Sequence, residues 1–297
     1  MRKIQRLQPI DGALLAVAVI WGTGYSVVKA ALGEMPPLAF NAVRFVGASS
    51  VVLALTWILE RDLSIPRHLW GLVFLLGFVG QSAHLALYVK GLSLTTAINA
   101  SLILAAIPIF TALIGALSRT ERMSARNWAG VFLSFVGIFL VISRPGAAAQ
   151  SGSTLVGDLL EVASAVCFAL YLVLSKRLMA STTALKATTW TMWSAAPLLV
   201  LVAVPELRTV NWRTLSWPAW FGMAYSATLI IGIGNVIWYA GVKQVGSTRT
   251  SLYSYLTPPI ALLFAWAFLG EVVTLLQILG MVAVLVGVAL GRQAAGT

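Results

Sequence analysis

The sequence predicts an all-α integral membrane protein, with ten transmembrane helices folded as two inverted five-helix repeats around a central cavity. Three observations predict it. Of 297 residues, 59% are hydrophobic and 10% charged, and mean hydropathy is +0.91, whereas water-soluble domains carry about 25% charged residues. Long uncharged runs recur, among them Gly91–Ser118 and Thr214–Val242, and about 20 helical residues cross a ~30 Å hydrocarbon core. The chain also repeats itself: at one gapless offset of 150 positions, Ala97–Val141 lands on Ser247–Gly291.

The repeat is carried by residues that punctuate helices. Gly91 meets Gly241, Ser101 meets Ser251, Leu102 meets Leu252, and Pro108 meets Pro258. Glu121 meets Glu271, Gly130 meets Gly280, and Gly137 meets Gly287. A weaker register at offset 146 pairs Tyr25 with Tyr171 and carries the match upstream. The expected organisation is a first five-helix repeat at 1–143, a Gly/Ala/Ser-rich linker at 144–154, and a second repeat at 155–297.

Taken in order, the expected spans are 12–32, 36–59, 68–89, 93–117, 125–143, 155–176, 184–204, 217–241, 248–269 and 273–291. The apolar runs are continuous, which excludes barrel strands with their two-residue alternation. Arg2, Lys3 and Arg6 precede the first run. They mimic a signal peptide, but nine further spans and no small-residue cleavage site make it an ordinary first helix. Span 2 contains Arg44, and span 3 is interrupted by His84 alone. Span 4 bends at Pro108. Span 5 starts at a capping Ser124 and carries Gly130 and Gly137. Span 6 has Asp158 and Glu161 at its outer end, where carboxylates favour a helix N-terminus. Glu121 and Glu271 stand likewise before spans 5 and 10. Trp217 and Trp220 open span 8 as an interfacial belt. Pro258 and Pro259 bend span 9, and Thr274 caps span 10, which carries Gly280 and Gly287. Glycines seven apart share a helix face and allow close backbone approach, so spans 5 and 10 read as a packing layer.

Basic residues set the orientation. Fourteen fall on one side: Arg2, Lys3, Arg6, Arg61, Arg67, Arg119, Arg122, Arg126, Lys176, Arg177, Lys186, Lys243, Arg249 and Arg292. Five fall on the other: Lys29, Lys90, Arg144, Arg208 and Arg213. The rich side is cytoplasmic, which puts both termini inside. Five spans per repeat is an odd number, so the second repeat enters the membrane upside down. The net charge of +11 is thus a topology signal and does not point to nucleic acid.

The segment WGTGYSVVK and the pattern S–L–(x)5–P–(x)12–E–(x)8–G–(x)6–G, present twice, resemble the drug/metabolite transporter superfamily in its ten-helix EamA-type branch. The resemblance covers nearly the whole chain. It implies export of small organic solutes by alternating access around a central cavity; members export amino acids, aromatic ones included, and other metabolites and drugs. The small four-helix relatives use a membrane-embedded Glu for proton coupling. Here span 1 has Trp21 and Tyr25 in that place and no carboxylate occupies the middle of a span, so facilitated diffusion or exchange is expected.

Inverted repeats place the substrate near the midplane, between matched helix interruptions. Pro108 and Pro258 are such a pair and are the expected gating bends. Polar and aromatic residues at helical spacing supply the expected substrate-binding set: Trp21 and Tyr25 in span 1, and Gln81, His84 and Tyr88 in span 3. Asn99 in span 4, Tyr171 in span 6, and Asn235, Trp238 and Tyr239 in span 8 complete it. Amides, hydroxyls and imidazole suit a zwitterion, and aromatic faces suit an apolar or aromatic side chain. Ionisable groups inside a membrane default to function; Arg44 either holds helices together or meets an anionic substrate group.

The expected function is therefore an inner-membrane exporter of small amphipathic metabolites, amino acids above all, in a bacterial-type plasma membrane. A drug or other metabolite of a different class is the alternative; a membrane-embedded enzyme or a scaffold is the remote one. The enzyme reading lacks a motif: the two histidines, His68 and His84, belong to no H-E-x-x-H, and there is no G-x-S-x-G. The lone Cys167 forms no intramolecular disulfide and contributes to no metal cluster. No catalytic residue, metal or cofactor is expected. The partners are a small-molecule substrate and membrane lipid, with no nucleic acid, and the protein is a monomer or a weak dimer.

Overall fold

The computed structural model describes residues 8–118, 123–143 and 154–292, which are helical with no strand among them. The helices are α1 Pro9–Leu32, α2 Pro37–Glu60, α3 Arg67–Leu94, α4 Ala97–Leu117, α5 Ala125–Ile142, α6 Leu155–Met179, α7 Ala184–Leu207, α8 Trp217–Val245, α9 Arg249–Leu269 and α10 Leu275–Arg292. The first nine are long and apolar enough to cross a membrane, and α10 carries a shorter apolar run. The expected linker, apart from Thr154, lies outside the described residues, as do Arg2, Lys3, Arg6, Arg119, Glu121, Arg122 and Arg144.

Local chemistry starts these helices where the chain turns. The Thr154, Thr183 and Thr96 hydroxyls accept from the backbone N–H of Gly157, Lys186 and Asn99 at 3.0, 3.2 and 3.1 Å, satisfying orphan donors of the first turn. Ser124 caps α5 and Thr274 caps α10, as expected. Glu271 acts elsewhere than expected. Its carboxylate accepts from Ala97 and Ile98 N–H at 2.7 and 3.0 Å, so it caps α4, across the repeat boundary. Glu206 does the same for α2, accepting from Leu38 and Ala39 at 2.6 and 3.1 Å. Helix α3 continues to Leu94, past the expected end, because Lys90 stays in the helix and pairs with that Glu206 at 2.6 Å.

Two kinds of interruption repeat at the 150-residue offset. Within α3, Gly77–Ala83 is wound as a π-helix; within α8, Ser226–Ile233 is too. Helix α4 breaks at Ala105–Ala106 before Pro108, and α9 tightens into a 3-10 turn at Ser254–Leu256 before Pro258. In each case the proline sits in the first turn of the restarted helix, where its missing N–H costs nothing.

Packing follows the same symmetry. Helix α5 lies along α10, and their glycines meet crosswise. A Cβ on Gly130 would fall 2.5 Å from the Gly287 carbonyl, and one on Gly137 2.7 Å from the Gly280 carbonyl. Position 130 thus touches the repeat partner of 137, and 137 touches the repeat partner of 130, as a twofold axis between the halves requires. Helices α2 and α7 also face each other, joined by Thr56 and Thr189 hydroxyls 2.7 Å apart. The contact of α1 with α9 is matched by that of α6 with α4.

Polar ties close the two ends. At one, Arg249 of α9 donates to Asp11 of α1 from Nε and Nη2 at 3.1 and 2.5 Å, and Tyr253 OH donates to the same carboxylate at 2.8 Å. At the other, Asp158 accepts from the Thr95 hydroxyl and from Asn99 Nδ2 (2.8 Å), and Gln277 Nε2 donates to Asn99 Oδ1 at 2.9 Å. Asp158 therefore links α6 to α4, where the sequence suggested a charge at its own helix N-terminus. Lys29 donates to the carbonyls of Leu92, Ser93 and Thr95 at 2.7, 3.2 and 2.6 Å, pinning α1 to the α3–α4 corner.

Candidate functional site

The π segments position the first half of the site. A π turn widens the helix and redirects its carbonyls, a feature common at functional sites. Trp21 of α1 donates from Nε1 to the Ile230 carbonyl inside the α8 π segment at 3.0 Å, and its ring packs on Trp238 with centroids 5.0 Å apart. Asn235 donates to the Ile231 carbonyl of the same segment at 2.7 Å.

The second half lies between α3, α6 and α1. His84 Nδ1 is 3.0 Å from the Ser164 carbonyl. A carbonyl only accepts, so the ring proton sits on Nδ1, and Nε2 has no protein partner among the described residues. The Ser164 hydroxyl lies 2.8 Å from Nδ1 and donates to the His84 carbonyl at 3.1 Å. From His84 a chain of rings extends both ways: Phe168 at 4.7 Å and then Tyr171 at 5.6 Å on one side, Tyr88 at 6.4 Å and then Tyr25 at 6.4 Å on the other. Gly80 lies so close to Tyr171 that a Cβ there would fall 2.2 Å from its ring. The Tyr171 hydroxyl faces Gln81, Thr188 and Thr191, and Thr188 shares a 2.7 Å hydrogen bond with Tyr239.

The structure thus places nine of the ten expected lining residues in two groups: Trp21, Asn235 and Trp238 at the α8 π segment, and Tyr25, Gln81, His84, Tyr88, Tyr171 and Tyr239 along the ring chain. Asn99 stands apart. It is 0% exposed and its amide is committed to Asp158 and Gln277, so it belongs to the closure at one end. Tyr255 of α9 packs against the apolar cluster around Ile109 and Phe110.

Three residues outside the expected set belong to this region. Phe168 bridges His84 and Tyr171. Arg44, 3% exposed, lies 5.3 Å from the Phe40 ring centroid and 5.5 Å from that of Tyr88. Glu161, 0% exposed, points into the bundle beside Gly91 and does not reach the α6 N-terminus. The signal for two of them is in the spacing: Glu161, Ser164, Phe168 and Tyr171 fall at i, i+3, i+7 and i+10, one stripe of α6. A surface hollow lined by Leu262, Trp266 and Glu271 shares none of these residues. Among the described residues no three His, Cys, Asp or Glu converge as metal ligands.

The model of the EamA-like transporter family matches the chain twice, over residues 9–143 and 155–291. The chain belongs to that family. As an EamA-like transporter it is a multi-pass membrane protein that moves a small molecule and catalyses no reaction. It is 28% identical to the "Uncharacterized transporter YyaM" of Bacillus subtilis, over 93% of this chain and 90% of the relative. It is also 28% identical to a "Probable amino-acid metabolite efflux pump" of Salmonella typhimurium, over 93% of each. A "Probable terminal-alkyne amino-acid exporter" of Streptantibioticus cattleyicolor is 27% identical, over 90% of this transporter and 88% of the relative. A solved crystal structure superposes with a TM-score of 0.67 at 22% identity, covering 95% of this chain and 96% of that one. That likeness speaks to the fold alone.

Proposed function

We propose that this transporter exports amino acids, aromatic ones included, across the bacterial inner membrane by alternating access. The observation that carries the reading is two groups of rings, the pair Trp21–Trp238 and the run from Tyr25 through Tyr88, His84 and Phe168 to Tyr171, with Trp21 and Tyr25 one turn apart on α1. They draw on both halves and lie against the two π-wound segments. Such rings offer faces to an apolar or aromatic side chain, while imidazole Nε2, Tyr hydroxyls and amides serve a polar backbone. The relatives named as amino-acid exporters support it. Both termini face the cytoplasm, and the substrate path lies within one monomer. Pro108 and Pro258 end the interruptions of α4 and α9 and serve as gating bends.

Counterflow of labelled amino acids into liposomes holding the pure protein tests the function; a protein that moves none of the twenty, yet moves a nucleoside or a cationic dye, takes another substrate class. Orientation is tested with a cysteine at Ala148 in a Cys167→Ala background. It reacts with impermeant thiol reagents from the outer side; labelling from the cytoplasm alone refutes the inverted topology.

A further inference from the structure

Two buried groups of opposite sign lie near Tyr88, and neither forms an ion pair among the described residues. Arg44 directs Nε and Nη2 to one acceptor, Asn41 Oδ1, at 3.1 and 3.0 Å, and forms no ion pair among the described residues. Its guanidinium carbon stands 5.5 Å from the Tyr88 ring centroid. Both carboxyl oxygens of Glu161 are buried with no hydrogen-bond partner. A Cβ on Gly91, one turn along α3 from Tyr88, would fall 2.9 Å from Glu161 Oε1. The groups facing Glu161 are Asp158 of α6, Lys29 and Tyr25 of α1, and Tyr88 of α3. Lys29 is the one cation among them, and its three ammonium hydrogens go to the carbonyls of Leu92, Ser93 and Thr95, so it gives Glu161 no hydrogen bond; Asp158 has the same sign as Glu161.

An unpaired buried ionisable group is costly, and inside a membrane it marks a candidate functional site whose partner a charged cargo can supply. Resting on the amino-acid reading above, we propose that Arg44 and Glu161 are the two poles of a zwitterion site. The Arg44 Nη1 edge takes the α-carboxylate, Glu161 takes the α-ammonium, and the side chain lies on the Tyr88 and Tyr25 rings. A carboxylate accepts up to about four hydrogen bonds and an ammonium has three to give, so each pole matches its half of the ligand. Glu161 belongs to the second repeat and Arg44 to the first, so the amino acid's own backbone joins the two halves.

Equilibrium binding in lipid nanodiscs with three probes tests this: L-phenylalanine, phenethylamine, which lacks the carboxylate, and 3-phenylpropionate, which lacks the ammonium. Wild-type protein binds phenylalanine tightest. Glu161→Gln weakens phenylalanine and phenethylamine roughly tenfold or more and leaves 3-phenylpropionate unchanged. Arg44→Gln weakens phenylalanine and 3-phenylpropionate and leaves phenethylamine unchanged, and Arg44→Lys restores part of the loss. Variants that stay monodisperse yet weaken all three probes alike, or none, overturn the pairing while leaving amino-acid export standing. Wild-type protein that binds the two single-charge probes as well as phenylalanine overturns it without any mutation. Wild-type protein that binds none of the three overturns both this pairing and the aromatic amino-acid reading beneath it.

Discussion

Arg249 grips Asp11 through two hydrogen bonds, and the matching place in the other half holds Asn99 against Asp158. Asn99 is the partner of Arg249 at offset 150, and Asp158 follows Asp11 by 147. The two ends of the bundle are thus closed by homologous contacts, one an ion pair and the other a hydrogen bond from an uncharged amide to a carboxylate. In an alternating-access cycle they must open in turn.

Arg249→Gln is expected to loosen the end of the bundle that holds Asp11 selectively, the cytoplasmic end in the proposed orientation. A cysteine at Asn235, in a Cys167→Ala background, should react severalfold faster with an impermeant thiol reagent applied from that side. Unchanged reactivity would show that the Asp11 contact does not hold the end shut.

The crosswise glycines of α5 and α10 give a stability prediction. A methyl at position 287 would fall 2.2 Å from Ser134 Oγ and 2.6 Å from the Gly130 carbonyl, and backbone cannot step aside. Gly287→Ala should cost about 1–3 kcal/mol and lower the melting temperature in detergent. Gly71→Ala, with nothing within 4 Å of the new carbon, should leave it unchanged.

Asp62, between α2 and α3, gives a pH dependence. The Lys186 ammonium at 2.5 Å, with the Ser64 N–H and hydroxyl, holds its carboxyl below the ordinary 3.8, at about 2. A folded-state value below the unfolded one adds stability that is present in full above the unfolded value. It is lost as pH falls from near 4 through 2. The melting-temperature gap between wild type and Asp62→Asn should be constant above pH 5 and close across that window; a gap that widens on acidification would reverse the sign.

The sequence made the ten-helix duplication legible because its carriers are helix punctuation: Pro108 with Pro258, and Gly130 and Gly137 with Gly280 and Gly287. The glycine-faced layer of α5 and α10 was legible for the same reason. The π segments were not, since no residue type marks a widened turn and both stretches read like the ordinary helix around them. Asn99 was misplaced because helical spacing shows which residues share a face but not which neighbour that face meets; its partners Asp158 and Gln277 come from other helices. Glu161 reads in the linear sequence as a second acid near a helix start. Only the packing of α3 against α6, close at Gly91, shows that it is sealed inside.

Lys29 divides the molecule mechanically. With its ammonium fastened to three carbonyls of one corner, the C-terminal end of α1 is held to the end of α3 and the start of α4 as a single block. In the proposed alternating-access cycle the contacts left to part at this end are those of α6: Asp158 with Thr95 and Asn99, and Thr154 with the Leu94 carbonyl. A lysine at this depth serves as a rivet, and the line of rupture is set by where its carbonyls end.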